Sequence, residues 1–148
     1  MVGMGPQATE DKGPMAREAL KHKPQASPDL SKVSVILVAF QSGEHLKPCL
    51  DALAAQTLQP FEILLIDNAS SDGAPAAALQ DHPTVRLVEP GRNLGFAAGV
   101  NLGADLAQGD WLALINPDAF AQPDWLETLM AATRTYPDIV CFGSRQLM

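Results

Sequence analysis

At 148 residues the chain has room for one domain with a real core, but not for two. Hydrophobic residues make up 47% and charged residues 18%, a balance that excludes an intrinsically disordered chain. The formal net charge of −7 argues against broad binding of nucleic acid or anionic membranes, yet leaves open a phosphate held by backbone amides and a metal.

The clearest apolar run, Val35 to Phe40, is far too short to cross a bilayer, and the N-terminus carries no stretch like a signal peptide. Cys49 and Cys141 have no metal-type spacing and fall in predicted regular elements. Both are expected to be reduced core thiols of a cytoplasmic protein.

Met1 to Lys32 is rich in Pro, Gly, Lys, Glu and Gln without an apolar period, and reads as a flexible tail. Residues 33–148 form the folded unit. Val33 to Phe40 is a β-branched first strand, turned by Gln41-Ser42-Gly43. Glu44 to Gln56 follows as a helix with Leu46, Leu50, Leu53 and Ala54 on its apolar face, and Pro48 fits its first turn. Phe61 to Ile66 is a second strand, ending in Asp67-Asn68-Ala69-Ser70-Ser71-Asp72-Gly73. A short helix near Ala74 to Leu79 leads to a third strand, Val85 to Val88. After the loop Glu89 to Gly95 comes a small-residue helix from about Phe96 to Ala107.

Trp111 to Ile115 is five apolar residues in a row, which predicts a central strand buried on both faces. Pro117 stops it near Asn116, because proline has no N–H and bars its predecessor from helix. Gln122 to Tyr136 reads as an amphipathic helix and Ile139 to Phe142 as a fifth strand. Strand and helix alternate with short connections, so the fold class is α/β, a parallel sheet with helices on both faces.

Asp118 is offered just past the end of a strand, the edge where open α/β sheets bind ligands. A carboxylate there suits Mg²⁺ or Mn²⁺ held by few protein ligands plus substrate phosphates. Asn, Pro and Asp are also ordinary turn formers, and that reading stays open. Asp67 ends the second strand and shares the edge. Glycines 91, 95, 99 and 103 recur every fourth residue, which suits a helix packing closely on the sheet. The amides of Arg92 to Gly95 and the helix start could face a phosphate or sugar, with Gly95 allowing close approach. Arg92 is equally readable as a solvated surface charge. A dehydrogenase would need a glycine-rich turn after the first strand, and a P-loop a Gly-Lys-Ser/Thr; neither is present.

Four segments, Val35 to Gly43 (VILVAFQSG), Glu62 to Gly73 (EILLIDNASSDG), Asn93 to Asn101 (NLGFAAGVN) and Trp111 to Ala119 (WLALINPDA), resemble in order the motifs of glycosyltransferase family 2. These are nucleotide-sugar enzymes with the GT-A fold, a Rossmann-like nucleotide-diphospho-sugar transferase architecture. The Asn-Pro-Asp form resembles the rhamnosyltransferase-like branch. The resemblance implies that Ala39 and Phe40 line a base pocket and that Asp67 accepts an N–H from a pyrimidine. It implies Asn93 and Gly95 beside the sugar diphosphate, and Asp118 as the metal ligand. Ser71 and Asp72 are read as turn and helix-capping residues, and Gln41 stands where the family usually has Asn.

The implied activity is metal-dependent, inverting transfer of a hexosyl group, rhamnosyl among the candidates, to a glycan or lipid-linked acceptor. The donor would be a dTDP-, UDP- or GDP-linked sugar. The acceptor could bring the protein to the inner face of a membrane. The acceptor site and carboxylate general base are expected beyond Met148, so that residues 33–148 would be the donor-binding half, inactive alone and open to self-association. A non-catalytic nucleotide-sugar-binding or interaction module is the alternative.

Overall fold

The computed structural model describes Asp29 and residues 32–145. The expected N-terminal tail falls almost wholly outside the described residues. Four strands, β1 (Val33–Ala39), β2 (Glu62–Asp67), β3 (Arg86–Val88) and β4 (Trp111–Leu114), form one parallel sheet in the order β3-β2-β1-β4. The helices are α1 (Leu46–Ala54), α2 (Ala74–Asp81), α3 (Phe96–Leu106) and α4 (Trp125–Thr135), with a 3-10 turn at Gly43–His45 leading into α1.

Alternation along β1 divides the core between two faces. Val33, Val35, Leu37 and Ala39 pack with Leu46, Cys49, Leu50 and Leu53 of α1, Ala78 of α2, and Leu126 and Met130 of α4. Ile36 packs with Leu64 and Ile66 on the other face, against Leu102 and Leu106 of α3. The glycine spacing sets how close α3 lies: a Cβ on Gly103 would sit 2.6 Å from the Ile36 Cγ2, and one on Gly99 2.8 Å from the Val38 Cγ1. Gln56, only 3% exposed, joins the end of α1 to the start of α4. Its Nε2 donates to the Gln122 carbonyl at 2.7 Å and its Oε1 accepts from the Leu126 N–H at 2.9 Å. The segment 122–124, expected as helix, is occupied by that junction, and α4 starts at Trp125.

Three expectations are corrected. β4 is an edge strand, not a central one, and it is not buried on both faces: Leu112 is 48% and Leu114 50% exposed. They stand opposite Ser34 and Ile36 on the α3 side of the sheet, where α3 is packed over β1 and β2. Residues 139–142 form no strand among the described residues, and Val140 is 88% exposed. A β-branched run becomes a strand only where an edge pairs with it, and the described sheet ends at β3 and β4. Cys141 is therefore exposed rather than a core thiol, while Cys49 is buried as expected.

Candidate functional site

The carboxyl ends of β1, β2 and β4 and the start of α3 surround an open cleft of about 500 Å³. Phe40, Asn93, Gly95 and Asp118 all line it. Ala39 does not: its side chain is fully buried in the core beneath the strand end, so of the two only Phe40, 53% exposed, lines the cleft, beside Val38, Gln41 and Ser42. Asp67 lies at the end of β2 behind the lining, 7% exposed, with one oxygen accepting the Ser70 N–H at 2.9 Å. Arg92 is exposed and is not among the lining residues.

The Asn116-Pro117-Asp118-Ala119 segment is a hydrogen-bonded turn, closed by the Ala119 N–H on the Asn116 carbonyl at 3.0 Å. Turn formation and presentation of Asp118 are thus one feature. The Cys49 Sγ donates to the same Asn116 carbonyl at 3.5 Å. Burial first, and the nearby Asp118 charge second, push this thiol up to about 12, so it stays protonated beneath the turn. Among the described residues no three His, Cys, Asp or Glu side chains cluster into a self-sufficient metal site. A lone exposed carboxylate fits the mode in which Mg²⁺ or Mn²⁺ takes one protein ligand and completes its shell with phosphate oxygens and water.

At the start of α3, Gly95 has φ 80°, a backbone that L side chains rarely adopt. The Asn93 Oδ1 accepts the Gly95 N–H at 2.8 Å, which bends the loop so that the first turn of α3 opens on the cleft. Phe96, the first residue of α3, is 59% exposed and lines the cleft opposite no assigned partner.

Several lining residues escaped the sequence reading: Gln41, His45, Asn68, Phe96 and Asn116. Phe96 and His45 had a legible signal, an aromatic or imidazole at the helix-side end of a loop on the ligand edge. Asn68 had none, because its role rests on a contact with a loop 27 residues away. The N-cap of α2 is Gly73 and carries no side-chain cap bond, so the expected cap at Asp72 is not formed; its carboxylate instead accepts the Ala74 N–H at 3.0 Å with one oxygen and the Gly43 N–H at 2.8 Å with the other.

A sequence profile of Glycosyl transferase family 2 matches residues 34–147. The chain belongs to this family. An N-acetylglucosaminyl-diphospho-decaprenol L-rhamnosyltransferase of Mycobacterium tuberculosis is 35% identical over 120 residues, covering 74% of this chain and 39% of that protein. The family member described here thus spans well under half the length of that relative. Staphylococcus aureus TarS residues 1–349, solved with UDP-GlcNAc, superposes with a TM-score of 0.66 at 20% identity, over 72% of this chain and 32% of that one. The mannosyltransferase PcManGT of Pyrobaculum calidifontis, solved with GDP-Man and Mn²⁺, gives a TM-score of 0.60 at 26% identity, over 81% and 37%. The fold is the GT-A fold.

Proposed function

We propose that residues 33–145 form the donor site of an inverting, metal-assisted hexosyltransferase that draws on a nucleoside-diphosphate sugar and serves a glycan or lipid-linked acceptor in polysaccharide assembly. The observation that carries this reading is the convergence of Phe40, Asn93, Gly95 and Asp118, from three separate connections, on one cleft at the carboxyl edge of a parallel sheet. The similarity to a rhamnosyltransferase supports rhamnose as the sugar, and relatives solved with UDP-GlcNAc and GDP-Man support a nucleoside-diphosphate carrier, for which UDP, GDP and dTDP are the candidates. We place the protein in the cytoplasm, where such donors are made.

In this reading Phe40 offers an aromatic face to the base. Behind the cleft lining the Asp67 carboxylate, 7% exposed and with one oxygen on the Ser70 N–H, would offer its other oxygen to a base N–H that reaches past that lining. Gly95 lets the diphosphate approach the backbone, and the first N–H groups of α3 face its charge. Asp118 would hold Mg²⁺ or Mn²⁺, which when bound neutralises charge on the leaving diphosphate. The acceptor hydroxyl attacks the anomeric carbon from the face opposite the diphosphate. Its oxygen–carbon bond forms as the carbon–diphosphate bond breaks, its proton passes to a general base, and the configuration inverts. The transition state has oxocarbenium character, as in glycoside hydrolysis.

Apart from Asp118, no carboxylate lines the cleft among the described residues. Glu127 is turned to Thr57, whose Oγ1 donates to it at 2.7 Å. We therefore assign the base to sequence other than these residues, and expect this chain alone to bind donor without appreciable transfer. General base catalysis supplies about 10²–10⁴-fold, and acceptor orientation a larger factor.

Calorimetry with UDP, dTDP and GDP, with and without Mn²⁺, tests the reading. Metal-dependent binding that Asp118→Ala abolishes, with the thermal midpoint nearly unchanged, is the expected result. No binding of any nucleotide by a folded chain overturns it, and a large stability loss in Asp118→Ala without change in binding reduces Asp118 to a turn former.

A further inference from the structure

The loops that follow β1 and β2 are fastened to each other by hydrogen bonds from Gln41 and Gly43. The Gln41 Oε1 accepts the Ser71 N–H at 2.8 Å and its Nε2 donates to the Ser71 Oγ at 3.0 Å. Its own N–H donates to the Ser70 Oγ at 3.2 Å, and two residues on, the Gly43 N–H donates to the Asp72 Oδ2 at 2.8 Å. Gln41 also has φ 52° and Ala69, on the facing loop, φ 63°. Non-glycine residues on the left-handed side are costly and persist only where surrounding bonds hold them. Both fall near candidate site residues: Gln41 follows Phe40, and Ala69 lies two positions past Asp67.

We propose that Gln41 is a positioning residue whose clasp on Ser71 presents Phe40, and the nucleoside wall of the cleft, to the donor's base. The proposal rests on the donor-site reading above. Phe40 is 53% exposed, with fully buried Ala39 on one side and the strained Gln41 backbone on the other, so its direction depends on what holds residue 41. An asparagine at 41 would tolerate the left-handed backbone better, but is one methylene shorter. Glutamine has the reach to make a reciprocal pair with both the N–H and the Oγ of Ser71. Its amide is spent on the protein. Ser71 does not line the cleft, so changing its side chain tests the clasp without removing a lining group.

The clasp lies on the nucleoside side and Asp118 on another connection, so the two halves of the donor should respond differently. The probes are the tightest-binding of UDP, dTDP and GDP, and inorganic pyrophosphate, each with Mn²⁺, titrated calorimetrically into the full chain. Gln41→Gly relieves the backbone strain but removes the clasp; Gln41→Asn keeps an amide too short to bridge; Ser71→Ala removes one partner from the far loop. Each variant should bind the nucleotide about threefold to tenfold more weakly, the effect of losing a net hydrogen bond or two. Pyrophosphate affinity should change less than about twofold in all three, a split that general loosening would not produce. Unchanged nucleotide affinity, or equal loss for both probes, overturns the proposal. Should the Gln41 variants fail to fold, Ser71→Ala decides alone, since it leaves residue 41 intact. A wild-type chain that binds pyrophosphate but no nucleotide, or neither probe, overturns the donor-site reading and the clasp with it.

Discussion

Asn68 is bonded to Gly95 across the cleft: its Nδ2 donates to the Gly95 carbonyl at 3.2 Å. The other end of the same carboxamide accepts the Leu94 N–H at 3.4 Å, and the Asn68 N–H donates to the Ala39 carbonyl at 2.8 Å. One residue, 2% exposed, thus ties β1 and the loop that opens α3 to the end of β2, the first by its backbone and the second by its side chain. Replacing it with alanine removes two part-buried hydrogen bonds to that loop, each worth about 0.5–1.5 kcal/mol net. Asn68→Ala should lower the unfolding free energy in a urea titration by about 1–3 kcal/mol in total and weaken nucleotide binding as well. Loss of stability with full nucleotide affinity would show that the tie holds the fold without shaping the cleft.

The close seat of α3 can be checked at Gly103. A Cβ there falls 2.6 Å from the Ile36 Cγ2, deep in the sheet and not at the end of a flexible side chain. Gly103→Ala should destabilise by about 1–3 kcal/mol through overpacking, despite alanine's better helix propensity. Gly143→Ala, where an added Cβ meets nothing within 4 Å, is the matched control and should be neutral in the same urea titration.

The two cysteines should separate in a thiol titration with a disulfide reagent. Cys141 is exposed and should react promptly at mildly alkaline pH. Cys49 is buried and its thiol is pushed up to about 12, so the reactive thiolate is scarce until the chain unfolds. One fast thiol and a second released only in denaturant is the expected result. Two fast thiols would mean that the turn over Cys49 opens readily.

Acid should loosen the joint between the β1 and β2 loops. Hydrogen bonds from the Gly43 N–H, then the Ala74 N–H, hold the Asp72 carboxyl below its usual range. Because the folded value is the lower one, this contribution is complete above the unfolded value of about 3.9 and is lost as pH falls through the folded value. Asp51, held down chiefly by Lys47 and next by His82, behaves alike where α1 meets α2. The thermal midpoint should fall on acidification below about pH 4, and the fall should be shallower in Asp72→Asn. An identical slope in wild type and variant would remove Asp72 from the acid response.

Periodicity and turn chemistry determined much of this protein before any tertiary contact is known. The apolar runs of β1 and β2, the helical spacing of Leu46, Leu50 and Leu53, the glycine stripe of α3 and the stop at Pro117 are local properties, and each element lies within a few residues of its expected place. Asp118 and Gly95 could be placed at the ligand edge from their position after strands, because a parallel sheet brings its strand ends to one edge, whereas Phe40 and Asn93 entered through the family resemblance; all four line the cleft. Only the tertiary structure decided what covers each element. The composition of Leu112 and Leu114 suits burial, but β4 lies at the sheet edge and both remain exposed. The run at 139–142 suits a strand, but no described edge pairs with it. The Gln41–Ser71 tie joins residues 30 positions apart because the β1–β2 register sets Ala39 beside Asp67, and the Asn68–Gly95 tie joins residues 27 apart because α3 is seated on β1 and β2. Register is a property of two strands together, and a polar side chain's partner across it cannot be read from either strand alone.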